Sequence, residues 1–196
     1  FTSDTYTVAN VDDPATGSLS ISGTPSQGQT LTANTSSIAD LDGLGSFSFQ
    51  WFADGGPISG ATQNSLLLTQ ALVGSKISLR VSYTDQQGTN ESLTSATTSA
   101  VANVDDPATG SLSISGTAAE GNSLTASLSS LNDPDGSTST AFQWQINSGS
   151  SWSNISGANS ASLAIPSDQS FVGSKLRVIA TTTDALGGNT SFTSDA

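Results

Sequence analysis

Carboxylates are the side chains in this sequence whose type and spacing could do chemistry. Its 196 residues hold 16 Asp and Glu against four basic residues, Lys76, Arg80, Lys175 and Arg177, for a formal charge of -12. There is no Cys, His or Met, which removes thiol chemistry and the thiolate and imidazole ligands that zinc prefers. Ten of the 16 acids stand in short groups: Asp12-Asp13, Asp40-Leu41-Asp42-Gly43 and Asp85-Gln86-Gln87-Gly88, then Asp105-Asp106, Asp133-Pro134-Asp135-Gly136 and Asp184-Ala185-Leu186-Gly187. Paired carboxylates can act as acid and nucleophile on a glycoside, or they can bind a hard cation through oxygen. The first use needs a cleft and an isolated pair. These acids sit on crowded loops with no activated Ser, so the chain is expected not to be an enzyme. A surplus of negative charge also argues against nucleic acid, which is bound through Lys and Arg, and against anionic membrane surfaces. Cations are the natural partner.

The elements that must position these acids come from a duplication. Residues 8–23, VANVDDPATGSLSISG, recur without a change at 101–116, and Gln50-Trp51 recurs at the same offset as Gln143-Trp144. Val73-Gly-Ser-Lys76 returns as Val172-Gly-Ser-Lys175, after extra residues around 148–154 that contain Trp152. Two domains follow, 1–102 and 103–196, joined by a linker at about 101–108. Phe1-Thr-Ser-Asp4 reappears as Phe192-Thr-Ser-Asp195, as expected for a pair drawn from a longer tandem array, with any targeting signal outside this stretch. No apolar run is long enough to cross a membrane.

Period-2 alternation places strands in the first copy near 17–22, 30–36, 46–53, 64–69, 76–84 and 92–101. Ile77, Leu79, Val81 and Tyr83 share an inward face, with Lys76 and Arg80 outward. Six or seven short strands with turns every 8–12 residues predict an all-β fold of two tandem Ig-like antiparallel β-sandwiches arranged end to end. Trp51 and Trp144 belong in the two cores. Trp152, in the inserted loop, either packs on its own domain or grips a ligand.

In a sandwich, successive strands alternate in direction, so the linker, the loop between the second and third strands and the last hairpin share one pole. The acidic groups occupy those three places in each copy. Like charges so close repel, and burying them unpaired costs several kcal/mol. Asp-Gly and Asp-Pro are also ordinary turn formers, which is the alternative at any single loop. For the set, a divalent cation fits best, and Ca2+, with six to eight oxygen ligands in flexible geometry, fits better than Mg2+. The candidate ligands are Asp12, Asp13, Asp40, Asp42 and Asp85, and Asp105, Asp106, Asp133, Asp135 and Asp184, with amide oxygens from Asn10 and Asn103. Pro14 and Pro107 fix φ and hold the preceding Asp13 and Asp106 extended. A cation tying this linker to the loops predicts a rigid pair of domains with calcium and a hinged one without it.

The pattern GTxxxGxxLTA, DxDG, FQW, ISGA, VGSK, TDxxG and VANVDDP, running through both copies, resembles the tandem Ig-like, cadherin-like repeats of giant bacterial RTX adhesins exported by type I secretion. The resemblance implies an extracellular place on the Gram-negative cell surface and in biofilms. It implies a role as an extender that projects a distal ligand-binding region, with neighbouring repeats of the same chain and calcium as partners and the chain itself a monomer. The alternative is an adhesive module that binds glycan or another cell-surface partner, for which Trp152 is the one candidate. In cadherin-like junctions a Glu from the preceding domain's far pole often contributes. The second copy has Glu120 there, but the first has Gln27.

Overall fold

The computed structural model describes residues 1–196, the side chains of residues 137 and 138 excepted. It is all-β, and the chain divides into two compact units, Phe1–Val104 and Asp105–Ala196. Unit 1 contains β1 (Ser20–Ser22), β2 (Thr30–Asn34), β3 (Ser48–Ala53), β4 (Gly56–Pro57), β5 (Ser65–Leu67), β6 (Ile77–Thr84) and β7 (Asn90–Thr94). These form two antiparallel sheets, β1-β2-β5 and β4-β3-β6-β7. Unit 2 repeats the pattern with β8 (Thr109–Gly116), β9 (Ser123–Asn132), β10 (Ser137–Asn147), β11 (Ser153–Asn154), β12 (Ser162–Ala164), β13 (Lys175–Asp184) and β14 (Asn189–Thr193), in sheets β8-β9-β12 and β11-β10-β13-β14. Among the described residues no helix is long and apolar enough to cross a membrane.

Alternation is what buries each core. Along β6, Ile77, Leu79 and Val81 are fully buried and Tyr83 nearly so, while Arg80 faces out over the Phe52 ring. They close on Leu31 of β2, Leu66 of β5 and Trp51 of β3, so one apolar cluster joins both sheets of unit 1. Trp144, Val178, Leu124 and Leu163 make the matching cluster in unit 2. The repeated Gln-Trp pair has a structural cause. Each indole is fully buried and donates to a backbone carbonyl at 2.9 Å, Trp51 to Gln63 and Trp144 to Ser160. The neighbouring amides, Gln50 and Gln143, each bridge two carbonyls, of Trp51 and Ile58 and of Trp144 and Ile155. A buried donor left unmet would cost about 1–3 kcal/mol, so the pair satisfies its own surroundings.

The final strand of the first copy differs from the expected 92–101. β7 spans Asn90–Thr94, and the chain then leaves the ladder. Hydroxyls replace backbone partners there: Leu79 N–H donates to Ser95 Oγ and Ile77 N–H to Thr98 Oγ1, each at 3.0 Å. Ser and Thr side chains compete in this way with regular pairing, and Ser194 does the same for Val178 N–H in unit 2. Further on, an isolated bridge pairs Ala100 with Lys76, and Val101 returns to the core at 2% exposure.

Replacing a fully buried β6 residue leaves a cavity that this two-sheet cluster cannot refill. Leu79→Ala is expected to lower the stability of unit 1 by roughly 2–5 kcal/mol, measured as a shift in its urea midpoint. A shift well under 1 kcal/mol would mean that this side chain does not hold the two sheets together.

Candidate metal centre

Three segments meet at the end of unit 1 where β6 finishes. Asp85 follows β6 directly, Asp40 and Asp42 lie in the β2–β3 loop, and Asp12 and Asp13 precede β1. Asp12, Asp42 and Asp85 each place a carboxylate oxygen within 4.8 Å of the others. Asp42 and Asp85 are buried, at 8% and 6% exposure, and Asp12 is exposed.

The rest of the shell holds these carboxylates rather than joining the trio. One oxygen of Asp85 accepts from the Gln87 and Thr89 N–H groups, both at 2.8 Å, which closes the β6–β7 turn. Asp42 accepts from Asp13 N–H at 2.7 Å and from the Asn10 side-chain amide, so Asn10 meets the cluster with its donor. Asp40 Oδ1 takes the Asp42 N–H at 2.9 Å, and its Oδ2 takes the Tyr83 hydroxyl at 2.6 Å. Burial first, then this bond, then the charges of Asp40, Glu91 and Asp85 push the Tyr83 hydroxyl well above its ordinary pKa. Tyr83 therefore stays a neutral donor.

One atom of unit 1 lacks any such partner. The second oxygen of Asp85 is buried and accepts no hydrogen bond. An anionic oxygen removed from water with no donor is unfavourable by several kcal/mol, and here two more carboxylates face it. A hard cation relieves both problems, and the donor set is all oxygen, as Ca2+ requires.

Unit 2 rebuilds the arrangement from its own residues. Asp105, Asp135 and Asp184 form the trio within 4.8 Å. Asp184 Oδ1 accepts from the N–H groups of Leu186 and Gly188 at 2.7 and 2.9 Å. Asp106 N–H donates to Asp135 at 2.6 Å, and Asp135 N–H donates to Asp133 at 3.0 Å. Of the ten acids grouped in the sequence, Asp12, Asp42, Asp85, Asp105, Asp135 and Asp184 thus converge. Asp13 and Asp106 act through their backbones, Asp40 and Asp133 brace the loop, and Asn103 belongs to unit 1, half-buried near its end.

Two further residues shape the sites. Tyr83 carries a weak sequence signal, an aromatic on the inward face two residues before Asp85. Gly188 is the other: a Cβ there would stand 2.0 Å from Asp105 Oδ1 and 2.4 Å from Asp184 Oδ2. Its signal is Gly187-Gly188 where the first copy has Gly88-Thr89. That space lets Asp105 bond with Asp184. The bond, then burial, then repulsion from Asp184, Asp135 and Asp133 raise the Asp105 pKa. Burial works against the charged form of Asp184, but the Asp105 bond and the N–H groups of Leu186, Gly188 and Gly187 outweigh it and hold that pKa down. The two carboxyls share a proton.

The sequence matches no protein-family model and no curated protein. Among solved structures it is similar to a Ca2+-stabilized adhesin that helps an Antarctic bacterium reach out and bind ice, at 11% identity and TM-score 0.39, over 93% of this chain and 48% of that one. It is similar to a tetra-tandem repeat in the extending region of a large adhesion protein, at 19% identity and TM-score 0.29, over 93% and 49%. A third is the Bacteroides ovatus mixed-linkage glucan utilization locus SGBP-B in complex with a mixed-linkage heptasaccharide, at 16% identity and TM-score 0.27, over 96% and 45%. The chain spans about half the length of each. These values leave the role of the two sites to be argued from their own geometry.

Gly188→Ala is expected to drive Asp105 off Asp184 and return its carboxyl toward the ordinary range, followed by carbon NMR of the Asp side chains across pH in EDTA. An unchanged Asp105 titration would show that the glycine is not what permits the shared proton.

Proposed function

We propose that the chain is a pair of extender modules from a bacterial cell-surface adhesin, each binding Ca2+ at its linker pole so that the junction stiffens and a distal ligand-binding region is held away from the cell. The observation that carries this reading is the buried, unpartnered Asp85 oxygen facing Asp12 and Asp42, with the same three-loop convergence rebuilt in unit 2. Short free linker supports the stiffening. Val104 N–H bonds to Gln27 in unit 1 and Asp106 N–H bonds to Asp135 in unit 2, so Asp105 alone lies between the two anchored residues, and its carboxylate belongs to the second trio. Extracellular modules bind calcium at about 10⁻⁴–10⁻³ M, which suits a protein outside the cell. The sequence resemblance adds the finer reading of RTX-type repeats sent by type I secretion to the Gram-negative surface, acting in biofilms.

A glycan-binding role would fall to Trp152. The Arg177 guanidinium lies 4.3 Å over the centre of its ring, which occupies one face that a sugar would need. The extender reading is therefore preferred.

Calcium at a hundred times its dissociation constant should stabilise a module by about 2.7 kcal/mol and raise its Tm by on the order of 10 °C over EDTA. Asp12→Asn combined with Asp105→Asn removes one charge per trio and keeps a side chain of the same shape. Calorimetric titration should then show calcium affinity at least tenfold weaker, about 1.4 kcal/mol, with the EDTA Tm little changed. Equal melting with and without calcium in the unaltered chain would end the proposal.

A further inference from the structure

Unit 2 contains a cavity of about 840 Å³ that its own chain leaves open. Its apolar lining includes Leu112, Ile114, Leu124, Ile165, Phe171 and Leu176, and Ala118–Glu120 and Gly173–Lys175 form its rims. Lys175 begins β13 and Asp184 ends it, so the cavity lies at the opposite end of that strand from the acidic trio.

Unit 1 shows what such a groove accepts. By register, Leu31 corresponds to Leu124, Leu68 to Ile165 and Ile77 to Leu176. Between the matching rims of unit 1 runs the segment Ala100–Val104. Gly74 N–H donates to Val101 O, and Val101 N–H donates to Ser75 O. Ala102 N–H donates to Pro25 O, and Gln27 N–H donates to Ala102 O, all four at 2.9 Å. Val104 N–H reaches the Gln27 side chain at 3.1 Å. Val101, at 2% exposure, joins the core cluster.

The same groups in unit 2 have no such strand. Among the described residues, neither Gly173 N–H nor Glu120 N–H donates to another backbone group. Leu176 is half-buried where Ile77 is fully buried, and Ala118, Ala119 and Glu120 are exposed where Pro25, Ser26 and Gln27 are half-buried. The chain also carries an unseated strand of the right sequence. Val8-Ala9-Asn10-Val11 is identical to Val101-Ala102-Asn103-Val104, yet Val8 is 94% exposed. Tyr6 and Val11 are exposed beside it.

We propose that the segment Tyr6–Val11 of one copy of this chain inserts into the unit 2 groove of a second copy, with Val8 taking the place that Val101 holds in unit 1. The mode is strand addition: backbone bonds to two rims hold the segment, and one apolar side chain in a pocket fixes its register. Gly173 and Glu120 supply the waiting N–H groups, and the Glu120 carboxylate stands where Gln27 accepts Val104 N–H. Donor and acceptor are different surfaces, so the contact is heterologous and copies add head to tail instead of closing as a twofold dimer. This departs from the monomer expected from sequence. It needs no cation, so its test is run in EDTA and stands apart from the calcium reading.

Sedimentation of the unaltered chain over a concentration series should show a mass that rises beyond one copy. Val8→Asp, at a site too exposed to affect folding, should weaken that association at least tenfold. Extending the chain after Ala196 with the sequence of residues 98–104 should fill the groove from within and abolish association. A peptide with the sequence of residues 1–11 should shift the Gly173 and Glu120 amide resonances of the Val8→Asp chain. A chain that stays at one copy at every concentration overturns the proposal, as does Val8→Asp associating as strongly as the unaltered chain. Continued association of the extended chain, or a peptide that leaves those two amides unmoved, would place the contact elsewhere and overturn it equally.

Discussion

Mutual repulsion of carboxylates is the constraint around which each module is arranged. Three negative oxygens within 4.8 Å cannot gather without compensation, and the fold supplies part of it from backbone N–H groups. In both units the Asp that ends the β6 or β13 turn accepts two turn N–H groups through one oxygen. The loop Asp accepts an N–H from the linker segment. These donors place the side chains and neutralise their outward lone pairs. The inward oxygens are left facing one another, and the Asp85 oxygen in particular meets nothing. A site half-neutralised by fixed dipoles and completed by a mobile ion is cheaper to form than one holding bare charges, and it responds to the ion's concentration.

The two units answer the same repulsion differently at one position. Where unit 1 has Thr89, unit 2 has Gly188, and the missing Cβ lets Asp105 lean onto Asp184 and share a proton. Unit 2 thus has a way to lower its own charge without an ion. Identical linkers do not guarantee identical sites, because the wall opposite the linker comes from a hairpin that has diverged.

Much of the fold was readable from alternation. Ile77, Leu79, Val81 and Tyr83 form an inward face because every second residue of a strand points one way, and the repeated Gln-Trp marked both cores. The stretch after β7 was not readable. Ser95, Ala96, Thr97 and Thr98 offer no apolar rhythm, and the Ser and Thr hydroxyls bond directly to β6 backbone groups, which composition does not reveal. At the acidic pole, the gathering of three loops followed from strand direction. Which Asp of each linker pair turns inward did not. The answer depends on Asp13 and Asp106 offering their N–H groups to the loop Asp, and the preceding residue's side chain then points into the trio.

The frame of the sequence repeat and the frame of the folded unit are offset, and this offset bears on how the modules act. The repeated words VANVDDP read as one linker. In the structure they are divided: Val101 to Val104 complete unit 1 through its far rims and core, while Asp105 and Asp106 build the acidic site of unit 2. A segment needed at both of its ends by folded structure has little freedom left to flex, since the order on each side is set by burial and hydrogen bonds that unfolding alone would release. The identical words at 8–11 have no preceding unit to complete, and Val8 stays exposed where Val101 is buried. One four-residue sequence thus exists in two states within a single chain, and the difference between them is whether a groove is present to receive it.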